Sequence, residues 1–138
     1  MARKKVILTR RISPPPALAV DRIDCLQIAV AEAKGFLDGP RYEHAVDLVK
    51  RLRDFCDREK TSDLNLKAVE NFFEISDKGG VLGKINLRIF FAYYSRWRTI
   101  VILGVWKKEV ENQTPAYIKE RMKNRMNWYE HIRNAGDI

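Results

Sequence analysis

The chain has 138 residues, 46% of them hydrophobic, and a formal net charge of +8 from 26 Lys and Arg against 18 Asp and Glu. That length and apolar content suit a single domain spanning 1–138 with a core of its own, and they exclude a wholly disordered chain. The cationic excess, with a pI of about 9.7, points to a polyanionic partner, because each phosphate neutralised releases counterions.

Cys25 and Cys56 stand beside apolar residues within helical patterns, in neither a disulfide framework nor a zinc spacing. They read as small buried hydrophobes in a reducing compartment. The first twelve residues are basic, but their apolar run is short and Arg10-Arg11 interrupts it, unlike a signal peptide. No apolar run is long enough to span a bilayer. A cytoplasmic protein without membrane contact is the expectation.

In chain order, 5–12 predict a first strand centred on Val6, Ile7 and Leu8. Ser13 and Pro14-Pro15-Pro16 break it with a stiff proline-rich connection near 13–16. Asp21 can cap a helix over 21–37, where Ile23, Leu26, Val30 and Ala33 recur at near-helical spacing, and Gly39-Pro40 punctuates its end. A second helix over 42–59 has Ala45, Leu48, Val49, Leu52, Phe55 and Cys56 as its apolar stripe. His44, at its start, has no second ligand at metal spacing and reads as a surface or capping residue. Residues 61–68 read as polar connection, and 69–76 as a strand with Phe73 and Ile75 on one face. Asp77 to Gly80 turn it, and 81–83 extend that loop.

The central stretch, KINLRIFFAYYSRWRTIVILGVWKK over 84–108, reads as two consecutive strands. The first, 86–94, is aromatic and β-branched; Leu87, Ile89, Phe91 and Tyr93 face one way, and Asn86, Arg88, Phe90, Ala92 and Tyr94 the other. The second, 97–106, is apolar on both faces and reads as central. After a polar link at 109–113, Thr114 and Pro115 open a last helix whose stripe is Ile118, Met122, Met126 and Tyr129. The expected fold is therefore α+β: a small antiparallel sheet, a helix pair packed on one face and a C-terminal helix, with Arg88 on a sheet face left open.

No Walker motif, dinucleotide glycine fingerprint, CxxC, HExxH or nucleophile elbow is present, and His44 and His131 lie far apart. No metal and no cofactor are expected. What remains is a set of cations among aromatics: Lys84, Arg88, Arg96, Arg98, Lys107 and Lys108 with Tyr93, Tyr94, Trp97 and Trp106. Cations hold phosphates and stabilise charge developing at phosphorus, while aromatic rings stack on bases. A simpler role is open for each lysine, that of ending a strand and keeping its edge soluble.

Leu87-Arg88, Phe90-Phe91, the apolar run Ile100 to Leu103, Lys107-Lys108 and Thr114-Pro115 follow one another in an order that resembles the RelE/ParE toxin superfamily, in its phage-derived HigB-like branch. The resemblance covers 72–127 by motif. It implies a RelE-like domain acting as the toxin of a toxin–antitoxin pair. The activity implied is translation inhibition by a hydrolase-class endoribonuclease that cuts mRNA on the ribosome without a metal. It also implies a cognate antitoxin protein as partner, with which the chain could form an oligomer. In that scheme Arg88 stabilises the phosphate, and Lys107 and Lys108 bind phosphate or help move a proton. Lys84, Arg96, Arg98 and Tyr117 are the RNA-binding candidates.

Two positions depart from the family. Leu103 precedes Gly104 where many HigB-like members carry a histidine, and Phe73-Glu74-Ile75 stands where RelE-type nucleases carry lysines. Tyr94 or Tyr117 is then the candidate proton donor, although a tyrosine near its ordinary pKa is a weak base at neutral pH. The alternative reading is a non-catalytic binding protein of the same fold, a gyrase poison or a basic interaction module.

Overall fold

The computed structural model describes residues 8–12, 20–54, 65–77, 80–108 and 114–138. Its elements are β1 (Leu8–Ile12), β2 (Arg22–Leu26), α1 (Gln27–Phe36), α2 (Gly39–Lys50), a 3-10 turn (Arg51–Asp54), β3 (Asn65–Val69), β4 (Phe72–Ser76), the one-turn α3 (Val81–Lys84), β5 (Leu87–Tyr94), β6 (Thr99–Lys107) and α4 (Ala116–Asn134). The fold is mixed α+β. The strands form one sheet in the order β1-β2-β6-β5-β4-β3, larger than expected. It is also not purely antiparallel, because β2 runs parallel to β6.

The central pair forms as its composition predicts. Tyr93 pairs with Ile100 and Arg88 with Trp106, and every residue from Leu87 to Ala92 and from Thr99 to Val105 is buried. A register shift between Phe90 and Phe91 leaves Leu103 as an extra residue on β6, so Gly104 and Val101 both lie opposite residues of the Arg88 face. The turn joining the strands is a 3-10 turn (Ser95–Trp97) followed by Arg98 at φ 49°, a left-handed position filled without glycine or asparagine.

Three expectations along the first half need correction. Residues 22–26 form a strand, not a first helical turn. Ile23, Asp24 and Cys25 pair with Ile100, Val101 and Ile102, and the backbone N–H of Asp21 donates to Arg98 O at 2.7 Å. The free edge of an apolar central strand thus overrides the helical spacing, and Asp21 caps nothing: its carboxylate pairs with Arg98 at 3.0 Å. Gly39-Pro40 begins the second helix instead of separating two. Asp38 is the cap, accepting from Arg41 N at 3.0 Å, and proline in the first turn has no N–H to leave unpaired. Residues 65–68, expected as connection, and Val69, expected to open the next strand, instead pair with β4 as an edge strand, closed by a turn in which Glu70 has φ 56°. The prolines at 14–16, the helical tail with Phe55 and Cys56, and the link at 109–113 lie outside the described residues.

Helices cover both faces of the sheet. Ala29, Val30 and Ala33 of α1 and Tyr42, Ala45, Val46 and Val49 of α2 meet Cys25, Ile89, Ile102 and Val105, leaving an apolar cavity of about 50 Å³. Apart from Cys25 and Tyr42, this lining is aliphatic packing. On the other face α4 buries Ile118, Met122, Met126 and Tyr129, the stripe predicted from spacing. Gly104 lets it approach: a methyl group there would press on Arg125 Nη1 and come within 2.6 Å of Met122 Cε. The Arg88 face is therefore not open. Beyond the end of β2, Val105 N–H donates to Glu32 Oε1 at 3.0 Å and Arg125 Nη1 donates to Leu103 O at 2.9 Å. Glu32 and Arg125 also bind each other in a two-bond fork, so one ion pair satisfies the strand edge that β2 abandons.

Candidate functional site

At one end of the central pair, two of the predicted cations converge on one carboxylate. Glu74 lies on β4 with Phe90 as its Cα partner, and Ser76 faces Arg88 one step further along. Lys108 follows β6, and its backbone N–H donates to Asn86 O at 2.9 Å. Its ammonium lies 3.2 Å from Glu74 Oε1 and 3.3 Å from Oε2. Arg88 Nε stands 3.5 Å from Glu74 Oε2, an ion pair too long to be a good hydrogen bond. Thr114, the residue before Pro115 at the head of α4, donates its hydroxyl to Glu74 Oε1 at 2.7 Å.

All four side chains are buried. Two cations thus share one buried carboxylate, an arrangement that holds three charged side chains in a fixed geometry. Arg88 is oriented by donating Nη1 to Leu87 O at 3.2 Å, while its buried Nε has no hydrogen-bond partner among the described residues. A cleft of about 230 Å³ opens beside Thr114, which lines it together with Lys67, Glu70 and Lys119. Lys67 is the cross-strand partner of Glu74, so the cleft begins where the cluster ends.

The other predicted residues divide between the two ends of the sheet. Lys107 is exposed at the end of β6, as the solubility role requires, whereas its neighbour Lys108 is buried. Lys84 is exposed in α3, and Tyr117 is 60% exposed with its ring edge-on to Trp106 at 6.2 Å. These residues lie at the Arg88 end. Tyr94, Arg96 and Arg98 do not: six residues of extended strand separate Tyr94 from Arg88, about 20 Å.

Tyr94 donates to Glu130 at 2.7 Å. Burial, and then that hydrogen bond, hold its phenol well above the ordinary tyrosine value. Arg96 stacks over Trp97 at 3.9 Å, and Arg98 is held by Asp21. A second network occupies this end. Tyr129 donates to Asp24 at 2.7 Å, Arg133 donates to Tyr129 at 2.8 Å, and Arg22 forks onto Asp24.

Sequence reasoning missed Glu74 and Thr114 as members of the site. The available signal was a lone carboxylate in the strand run Phe72-Phe73-Glu74-Ile75, where burial demands a partner. His44 is neither a cap nor a ligand: it meets Asp77 Oδ2 at 2.9 Å, and the same oxygen accepts from Leu82 N. Among the described residues no group of three His, Cys, Asp or Glu is placed to hold a metal ion, and no helix is long and apolar enough to cross a membrane.

Chemically, a carboxylate touching an ammonium beside a guanidinium can accept a proton, return it, and leave a cation facing an anionic centre. Comparison with family models, with curated proteins and with solved structures finds no match for this chain.

Proposed function

We propose that this chain is a RelE-like toxin of a toxin–antitoxin pair that cuts mRNA on the ribosome. The observation that carries this reading is the meeting of Arg88 and Lys108 on the buried carboxylate of Glu74. The element order gives it further support. From β2 to α4 the chain runs strand, two helices, three meandering strands and a helix, the order that the resemblance implies, with β1 and β3 added at the sheet edges.

The reaction needs no group beyond these side chains. Glu74 takes the proton of the ribose 2′-hydroxyl, and the freed oxygen attacks the adjacent phosphorus. Arg88, through Nε, neutralises the charge that builds on the phosphorane. Lys108 gives a proton to the departing 5′-oxygen as the P–O5′ bond breaks. The products are a 2′,3′-cyclic phosphate and a 5′-hydroxyl. The proton held by Glu74 then passes to Lys108 across their contact of 3.2 Å, restoring both groups. Tyr94 has no part in this scheme, and its distance from Arg88 is the reason. Because the cluster is buried, the strand has to approach it past the head of α4, and ribosomal pre-orientation supplies the alignment that free RNA lacks.

One observation favours a second reading, a RelE-fold protein that binds without cutting: Glu74, Arg88 and Lys108 are already mutually engaged. Induced expression of the wild type and of Glu74→Gln in a bacterial host, with growth and mRNA integrity followed together, separates the two. Arrest with cut mRNA in the wild type alone supports the nuclease. Arrest by both proteins with intact mRNA supports the binding protein. Unimpaired growth with abundant soluble wild type removes the toxin reading altogether.

A further inference from the structure

A groove of about 720 Å³ runs along one flank of α4, bounded by Leu26 and Ile28 where β2 passes into α1. Its α4 wall includes Tyr117, Arg121, Asn124 and Trp128, at intervals of four, three and four residues, which is one stripe of a helix. Ile28 and Tyr117, two large apolar side chains left exposed, both sit in it. The stripe is distinct from the core stripe of Ile118, Met122, Met126 and Tyr129 on the adjoining face of the helix, with Trp128 half-buried between the two.

The Tyr117 end of the groove lies toward the candidate site. Tyr117 stands edge-on to Trp106, Trp106 is the cross-strand partner of Arg88, and Arg88 faces Glu74. A line of side chains therefore crosses the sheet from the carboxylate to the mouth of the groove. Beyond that mouth the wall extends over eleven residues of helix, about 16 Å, room for several successive nucleotides.

We infer that this groove takes the bases of the single-stranded RNA next to the scissile phosphate, with Tyr117 as a stacking platform and Asn124 as a reader of a base edge. The inference rests on the RNA-cleaving reading above and names where that substrate lies. Aromatic rings accept the face of any base, and amides can both donate to and accept from base edges. Arg121 lies 5.9 Å from the Tyr117 ring, where it can add a phosphate contact beside the stacked base. Arg125 is committed to Glu32, so charge alone does not characterise the groove. Glu120 lines the same wall as Arg121, which disfavours an acidic protein helix; the rings and amides suit nucleobases, whose faces and edges carry no charge.

The test is the affinity of the full chain for a short unstructured oligoribonucleotide across a salt series. Wild type, Tyr117→Ala, Asn124→Ala and Arg121→Ala are compared, with polyglutamate as competitor. Tyr117→Ala is expected to weaken binding about tenfold with an unchanged salt slope, the mark of lost stacking. Arg121→Ala is expected to reduce the slope by about one phosphate.

Unchanged affinity in both Tyr117→Ala and Asn124→Ala would overturn the inference. So would equal competition by polyglutamate, since the groove would then answer to negative charge and suit an acidic protein. A wild type that binds no RNA yet arrests growth overturns the inference while leaving the toxin reading standing. Groove-dependent binding by a chain that leaves mRNA intact in a translating extract supports the groove as an RNA site and removes the nuclease.

Discussion

Lys108 and Glu74, 34 positions apart, share a buried contact in which the ammonium lies within 3.3 Å of both carboxylate oxygens. Removing the carboxylate would take from two buried cations the anion they share. Glu74→Ala is therefore expected to cost about 3–5 kcal/mol of stability, the usual loss when one partner of a buried ion pair is deleted. Glu74→Gln, which keeps the shape and an acceptor for Thr114, should cost less. Denaturant midpoints with matched slopes measure both. An undiminished midpoint for Glu74→Ala would show that the cluster contributes no stability.

Arg88→Ala is expected to be milder, about 1–3 kcal/mol, because Glu74 keeps Lys108 and Thr114 as partners. On an open sheet face the same substitution would leave the fold intact and make no core cavity; Arg88 is buried instead. Stability and growth arrest should be measured on the same preparation of variant. A folded Arg88→Ala that still arrests growth would remove Arg88 from the site.

Gly104→Ala tests the close approach of α4. Its methyl group would meet Arg125 and Met122, and overpacking of that kind costs about 1–3 kcal/mol. The displaced guanidinium also carries the bonds to Glu32 and Leu103 O, so Arg125→Ala should add less to Gly104→Ala than it costs alone. A double-mutant cycle reads that coupling. Full additivity would mean that the two positions do not interact.

Alkaline pH tests the network at the far end of the sheet. Burial, and then the hydrogen bond to Asp24, push the Tyr129 phenol up to about 12, against about 10 for a free tyrosine. Folding thus favours the protonated ring. Its contribution is whole below about pH 10 and is lost as pH rises toward 12. Tyr94 shifts in the same direction. The gap in unfolding free energy between the wild type and Tyr129→Phe should be constant at neutral pH and shrink across that window. A gap independent of pH would contradict the assignment.

The parts of this fold that could be read from sequence are those where one signal acts alone. Residues 86–94 and 97–106 are so aromatic and β-branched that both strands are visible within two residues at each end. The α4 stripe of Ile118, Met122, Met126 and Tyr129 needs no tertiary information. β2 was hidden because Ile23 and Leu26 continue the spacing of Val30 and Ala33; only the unpaired edge of β6 decides for a strand. β3 was hidden because its exposed Lys67 and Ala68 break the alternation a half-buried strand would show.

The site divides similarly. Arg88 and Lys108 were legible as cations near each other in a hairpin. That both are buried, and that Glu74 joins them, depends on a third strand and on the head of α4.

The central claim is that Glu74, Arg88 and Lys108 perform 2′-oxygen attack on mRNA. Mapping the ends of transcripts from a translating extract, with wild type and with folded Glu74→Gln, tests it most directly. The account predicts 2′,3′-cyclic phosphate or 3′-phosphate ends with matching 5′-hydroxyls for the wild type, and intact transcripts for the variant. Cuts that persist undiminished in Glu74→Gln, or that leave 3′-hydroxyl ends, would contradict it.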